Sequence, residues 1–408
     1  MSKHLIVIGG GAAGFFCAVN AARMNPALKV TIIEKTNKLL SKVKISGGGR
    51  CNVTHACFEI KEMIKNYPRG ANFLKKAFHH FFTTDTIEWF EKRGVRLKAE
   101  ADGRMFPTTN SSQTIIDCLV NEAKKYKVGI VMNSEVKEIL LLNDKWSVKL
   151  SDGRVQIADF ICIACGGFSK TEQFNWMKNL GHTITEPVPS LFTFNMPGNS
   201  ITQLMGVSVR DTRVKISSTK LEERGPLLIT HWGMSGPVVL KLSAWGAREL
   251  SDRDYQFTIF VNWVPQYDEN TLREMFLLFR KQLSTQRISS KNPFLLPQRL
   301  WDYFLEETHI NTEMRWSELP SKQQNHLITV LSNHKFVING KTRFKEEFVT
   351  AGGVALSEVD VNTMQSKKLP HLYFAGEILD VDGITGGYNF QNAWTSAWIA
   401  AKAITNAV

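Results

Sequence analysis

A chain of 408 residues, 43% of them hydrophobic, can bury a substantial core and is long enough for two or three domains. It holds no run of about 18 apolar residues and begins as a strand rather than a charged signal peptide, so the expectation is a soluble, cytoplasmic protein with no membrane partner. Six scattered cysteines are too few for a disulfide framework, and there is no Cys/His spacing that suggests zinc or another metal, while a formal net charge of +12 leaves room for a polyanionic partner.

Residues 4–34 read as a βαβ unit. The apolar strand HLIVI runs into Gly9-x-Gly11-x-x-Gly14 and an alanine-rich helix, and Glu34 closes the next strand, VTIIE. Gly9 permits the tight turn. Gly11 lacks a side chain where a pyrophosphate must approach, and Gly14 lets the helix lie against the strand. The helix start at Ala12 and Ala13 points N–H groups at phosphates. Glu34, 20 residues past Gly14 and followed by Lys35, can accept from both ribose hydroxyls. Strand, glycines, helix and acid in register predict a bound ADP moiety; a bare glycine fingerprint would not.

A basic, glycine-rich loop is expected over residues 39–52, with Lys42, Gly47, Arg50, Cys51 and Asn52 as candidate cofactor residues. Gly47–Gly49 permit a backbone nest for an anion, and Arg50 adds a permanent charge. That electropositive setting predicts a lowered Cys51 pKa and a thiol usable as acid or nucleophile; the alternative is a small residue packed behind the loop.

Charge is uneven. Residues 35–98 carry 14 Lys/Arg and 5 Asp/Glu, a balance of +9, whereas the remainder contributes 36 − 33 = +3. Helical patterns cover 59–67, 71–93 and 112–126, with Phe78, Phe81, Phe82, Trp89 and Phe90 as core. Lys75, Lys76, Lys92 and Arg93 then belong to a solvent face, either an RNA-binding track or an ordinary solvated surface.

Strands follow near 129–139, 146–150 and 155–165, the last ending in Gly166-Gly167. This stretch resembles the second half of an FAD domain, which implies that the strand carrying Val136 lies over the adenine, with Ala164 and Gly166 beside the cofactor. Cys162-x-x-Cys165 lies within a strand, so buried thiols are favoured over a redox pair. Past Pro187, short β-rich runs (191–195, 207–216, 227–231, 256–261) suggest a small barrel or sandwich, and His231 sits in a glycine-rich turn among them, structural or a proton donor. Amphipathic helices dominate from 269 to about 331. The chain returns through a strand near 335–339 and TAGGVAL. The division expected is 1–188 and 346–408 for cofactor binding, 189–266 and 332–345 for the barrel, and 267–331 for a helical insert.

The C-terminal stretch LYFAGEILDVDGITGGYNFQNAW closes the pattern. Gly376 and Glu377 follow a strand, and Glu377 matches the acidic position that commonly binds ribityl hydroxyls in two-dinucleotide-fold flavoproteins. Gly386-Gly387-Tyr388-Asn389, with Phe390, opens a helix whose N-terminus would stabilise negative charge near flavin N1 and O2. Tyr388 is a stacking or donor group. The two ends therefore predict FAD rather than free NAD, held non-covalently because no His or Cys attachment motif is evident. A second glycine fingerprint after a strand is lacking, so NAD(P)H is expected only as a transient electron donor.

ISGGGRCN (45–52), THWGMSGP (230–237), TAGGVALSEVD (350–360) and AGEILDVDGITGGYNFQNAW resemble, in order, the YhiN/BaiN-like flavoproteins. The resemblance runs along essentially the whole chain. It implies a glutathione-reductase-type α/β FAD-binding fold interrupted by a β-barrel domain and a small helical domain. One departure is Cys165, where many relatives have Thr in an ATGG-like turn. Activities attached to the family are amine oxidation with oxygen, double-bond reduction in bile-acid breakdown, and conversion of a uridine in large-subunit ribosomal RNA to dihydrouridine. The reading adopted is an FAD-dependent oxidoreductase. Reduction of a uridine in ribosomal RNA leads because of the +9 segment, with Cys51 or His231 supplying the proton. A small-molecule oxidase or reductase is the competing enzyme, and a ribosome-binding flavoprotein without turnover the third possibility.

Overall fold

The computed structural model describes residues 2–342 and 349–408. The expected return boundary at 345/346 lies outside the described residues. Two compact units are present: Met1–Ser190 with Phe344–Val408, and Leu191–Arg343.

The first unit is built on a five-stranded parallel sheet. Strand β1 (His4–Ile8) leads into helix α1 (Ala12–Met24) and β2 (Lys29–Ile33). There follow α2 (Ser41–Gly49), α3 (Ala71–Ala77), α4 (Thr83–Glu91), α5 (Ser112–Lys125), β3 (Gly129–Val131), β4 (Phe160–Ile163), β5 (Leu372–Phe374) and α6 (Tyr388–Asn406). The spatial order is β5-β4-β1-β2-β3, all parallel. LIVI of β1 and FICI of β4 are buried throughout, as strands covered by helices on both faces must be. Ile8 pairs with Ile33 on one side and Ile163 on the other, and Ile163 pairs with Phe374. The carboxyl ends of the strands are thus aligned, and strand order reverses at β1, the place where open α/β sheets bind ligands.

Two local expectations change. The helical pattern over 71–93 is two helices. Asp85 accepts a 2.7 Å hydrogen bond from the Phe82 N–H, starting α4 afresh, while Phe78 and Phe82 pack with ring centroids 5.1 Å apart at the break. Residues 39–52 are not a plain loop, because α2 occupies 41–49. It leaves helical geometry at Ser46 and runs through left-handed Gly47, Gly48 and Gly49 (φ 59°, 67° and 83°) into Cys51 (φ 61°).

The second unit carries a seven-stranded antiparallel sheet with the spatial order 334–339, 256–262, 208–216, 222–230, 233–235, 193–195, 341–342. Helices Glu269–Gln282, Gln298–Glu307 and Ser321–Asn333 share its core. Val214 and Ile259 from the strands lie in one cluster with Phe276, Trp301 and Leu327 from the helices. The glycines of THWGMSGP serve this packing. A Cβ on Gly233 would stand 2.1 Å from the Phe194 carbonyl oxygen, and one on Gly236 would stand 2.8 Å from that of Pro226. Among the described residues no helix is long and apolar enough to cross a membrane.

Candidate functional site

The glycine fingerprint sits where β1 meets α1. Gly9 has φ +115°, and a Cβ there would stand 2.5 Å from the Ala164 carbonyl oxygen at the end of β4. A Cβ on Gly14 would lie 1.9 Å from the Gly9 carbonyl oxygen, so α1 can reach the strand only through glycine. Gly11 differs. Among the described residues nothing lies within 4 Å of where its Cβ would stand, and α1 starts there with no side-chain cap. The open space and the uncapped N–H groups of Ala12 and Ala13 fit a pyrophosphate.

Glu34 stands at the end of β2. Its Oε2 accepts from the Gly10 N–H at 2.8 Å and its Oε1 from the Thr36 N–H and hydroxyl at 2.9 and 2.8 Å, fixing the carboxylate at the mouth of the fingerprint. Ser134 donates from its N–H to the Glu34 carbonyl at 2.9 Å, bringing the strand that carries buried Val136 to the same edge. Lys35 lies over the Phe168 ring, 5.7 Å from its centroid.

The C-terminal half meets this mouth directly. A Cβ on Gly376 would stand 2.8 Å from that of Ala13. Glu377 Oε2 accepts from Lys42 Nζ at 2.6 Å and its Oε1 from the Thr350 N–H at 2.9 Å, so α2, the TAGG strand and the Gly-Glu pair converge beside Gly166 and Gly167. Each carboxylate oxygen keeps a lone pair for a ribityl hydroxyl. Gly387 precedes α6 and presses on Thr54, where a Cβ would stand 2.5 Å from the carbonyl. Next to it, Asn52 Oδ1 is buried without a hydrogen-bond partner among the described residues, an acceptor waiting for a donor. With the space over Gly11, this orphan acceptor is what a cofactor running from the fingerprint to α6 would fill. The residues present fit FAD.

The remaining candidates sit in varied surroundings. Cys51 is fully buried, and burial pushes its thiol up to about 12 against a weaker opposing hydrogen bond with Ser46, so the expected low-pKa thiolate is overturned. Arg50 is not a free charge for phosphate. It donates to Glu100 at 2.5 Å and its guanidinium lies 4.0 Å from the Phe106 ring centroid. The Asn389 amide is spent on loop shape, bonding the N–H and carbonyl of Gly383 at 2.8 Å each. Phe390 stacks on Trp394, with centroids 5.7 Å apart. His231 is exposed at the turn between the strands Glu222–Thr230 and Gly233–Ser235, its ring edge-on to Trp232.

Tyr388 is buried, and desolvation raises its phenol well above the ordinary value, so it stays protonated. His55, which sequence reasoning passed over, stacks on it with centroids 4.8 Å apart and has Nδ1 3.0 Å from the Gly386 carbonyl oxygen. Nothing in the local sequence marks His55, because its partner lies over 300 residues away.

The basic segment is less basic than its composition. Of its 14 cations at least six are ion-paired, and Lys42, Arg50, Arg69 and Arg93 reach Glu377, Glu100, Asp382 and Glu122 outside it. Arg93 is structural: it bonds Glu122 at 2.7 Å, lies 3.7 Å from the Trp89 ring centroid, and is largely buried. Lys92 pairs with Glu88 on an exposed helix face. Lys75 and Lys76, on α3, are exposed.

Solved structures share this fold at low sequence identity. A 3-ketosteroid Δ1-dehydrogenase from Sterolibacterium denitrificans matches over 100% of both chains with a TM-score of 0.52 at 11% identity. A flavocytochrome c3 fumarate reductase matches 99% of this chain and 78% of its own with a TM-score of 0.51 at 14% identity. The fold and fingerprint together define a Rossmann-type flavoprotein oxidoreductase. The chain belongs to the HI0933-like family, whose description reads "HI0933-like protein Rossmann domain" and whose profile matches residues 3–403. Relatives include a ribosomal RNA dihydrouridine synthase of Escherichia coli strain K12, 32% identical over 97% of this chain and 96% of its own. A 3-dehydro-bile acid delta(4,6)-reductase of Clostridium scindens is 28% identical over 97% and 98%.

Proposed function

We propose that the protein reduces the C5=C6 bond of a uridine in 23S ribosomal RNA to dihydrouridine, with FAD held non-covalently and NAD(P)H as the electron source. The observation that carries this reading is the position of α3. It presents Lys75 and Lys76 to solvent, while Gly70 at its start packs against Val381 of the loop that leads to α6. A cationic helix abutting the flavin loop suits an RNA substrate better than a small amine. The relative from E. coli that bears the dihydrouridine synthase name supports the same reading.

When bound, FAD supplies the hydride that uracil C6 accepts. The residues of the chain must do the rest: hold the cofactor, orient the base, stabilise charge on O4 and deliver a proton to C5. Tyr388 is the group in the first unit best suited to the last task. Its phenol is kept neutral by burial and its ring is clamped by His55. The N-terminus of α6, uncapped by any side chain among the described residues, places positive potential at the adjoining site. Cys51, neutral and sealed behind the loop, serves packing better than proton transfer.

The deciding measurement is nucleoside mass spectrometry of 23S ribosomal RNA from cells lacking the gene, where one dihydrouridine should disappear. With purified protein, Tyr388→Phe should keep FAD yet slow uridine reduction by about 10²-fold, whereas Cys51→Ala should not. If His231→Ala produces that loss and Tyr388→Phe does not, His231 is the proton donor. Unchanged ribosomal RNA in the deletion would favour a small-molecule ene-reductase, the alternative suggested by the bile-acid reductase relative.

A further inference from the structure

The first unit holds a cleft of about 630 Å³ between α3 and the segment 356–367, which the site described above does not use. Its lining brings together groups of three chemical kinds. Lys76 and Lys367 supply positive charge, Asp360 supplies an anionic acceptor, and Asn72 with half-buried Phe73 supplies an amide and an aromatic face. Lys367 is steadied by a 2.9 Å hydrogen bond from Nζ to the Ser357 carbonyl, which leaves it two further donors. Asp360 is held by the Asn362 N–H at 2.9 Å. His80 Nε2 lies 3.3 Å from Asn362 Oδ1, linking the 77–82 turn to the opposite wall.

We infer that this cleft seats one nucleotide of the substrate RNA strand, next to the base that is reduced. The inference rests on the RNA reading above. Two lysines suit a phosphate. Asp360 would oppose a bare anion but accepts from a ribose hydroxyl, the group that distinguishes RNA from DNA. Phe73 and Asn72 match a base, one by stacking and one by its edge. The volume suits a nucleotide rather than an ion. Location supports the assignment as well, because Gly70 lines the cleft and a Cβ there would stand 2.5 Å from Val381 Cγ2. The cleft therefore backs onto the flavin loop, and a strand entering it has its neighbouring nucleotide beside that loop. Lys75, exposed on the same helix, extends the cationic surface beyond the cleft as a polymer requires and a free dinucleotide does not.

The test uses flavin-loaded protein, a single-stranded uridine-containing RNA 12-mer and its DNA counterpart, with binding followed by fluorescence anisotropy across a salt series. Lys76→Glu with Lys367→Glu should weaken RNA binding by roughly 10-fold or more and lower the salt slope by about 1, with FAD content retained. Phe73→Ala should cost roughly 10-fold on its own. Asp360→Ala should narrow the preference for RNA over DNA. Three outcomes overturn the inference. If the wild type binds and reduces RNA and these variants do so equally well, the cleft is wrong and the RNA reading survives. If the wild type neither binds nor reduces RNA, both fall together. If the lysine variants bind RNA normally but lose flavin reduction by NADPH, the cleft holds the nicotinamide dinucleotide instead.

Discussion

Gly11→Val is expected to yield a folded protein with no yellow colour. The residue sits in ordinary extended geometry (φ −91°, ψ −169°), and the space beside it is open among the described residues. Valine therefore strains neither backbone nor packing in the protein itself. It fills the volume that the pyrophosphate needs, and phosphate contact with the first turn of α1 is lost. Flavin absorbance per chain should be essentially abolished while the circular dichroism spectrum and the unfolding midpoint of the apoprotein are kept. Gly14→Val provides the contrast. Its Cβ would stand 1.9 Å from the Gly9 carbonyl oxygen, so that variant should lose fold and flavin together. A fully flavinated Gly11→Val would mean the fingerprint has been misread.

The second large effect is expected at the buried pair Arg69–Asp382. Arg69 bonds both carboxylate oxygens of Asp382, and Ser190 Oγ donates to Oδ2 at 2.8 Å. Asp382 is fully buried; burial pushes its carboxyl up while Arg69 and Ser190 pull it back. Removing one partner strands the other charge away from water, which typically costs about 3–5 kcal/mol. Arg69→Leu and Asp382→Leu should each lower the urea midpoint of the flavin-loaded protein substantially. The double variant should recover much of the loss, because no unpaired charge remains. Because Asp382 lies in the loop before α6, the single variants should also release FAD earlier in the titration. An Arg69→Leu midpoint equal to wild type would show that the pair contributes nothing.

What was legible in the sequence was set by short-range spacing. Gly9, Gly11, Gly14 and Glu34 stand within one βαβ unit, and their roles follow from geometry that repeats wherever a strand turns into a phosphate-binding helix. Charge was not legible. A count over residues 35–98 cannot see that Arg93 will meet Glu122 across α5, or that Arg69 will meet Asp382 after a separation of 313 residues. Cys51 misled in a related way. Its neighbours in sequence are basic and flexible, but its neighbours in space bury it. His55 left no trace because a stack with Tyr388 needs only two ordinary aromatic rings brought together by tertiary structure.

The order in which the chain is made gives the split cofactor site a consequence for biosynthesis. Gly376 follows Gly14 by 362 positions, and the contiguous unit Leu191–Arg343 is translated between the two halves. A nascent chain that has reached residue 370 carries everything the second unit needs. In the first unit β4 is still an open edge, with neither β5 nor α6 yet available. Flavin loading should therefore come late, after the middle of the chain has been made. Chains arrested near residue 370 should carry a complete second unit and an exposed strand edge in the first, the species most prone to aggregate or be degraded.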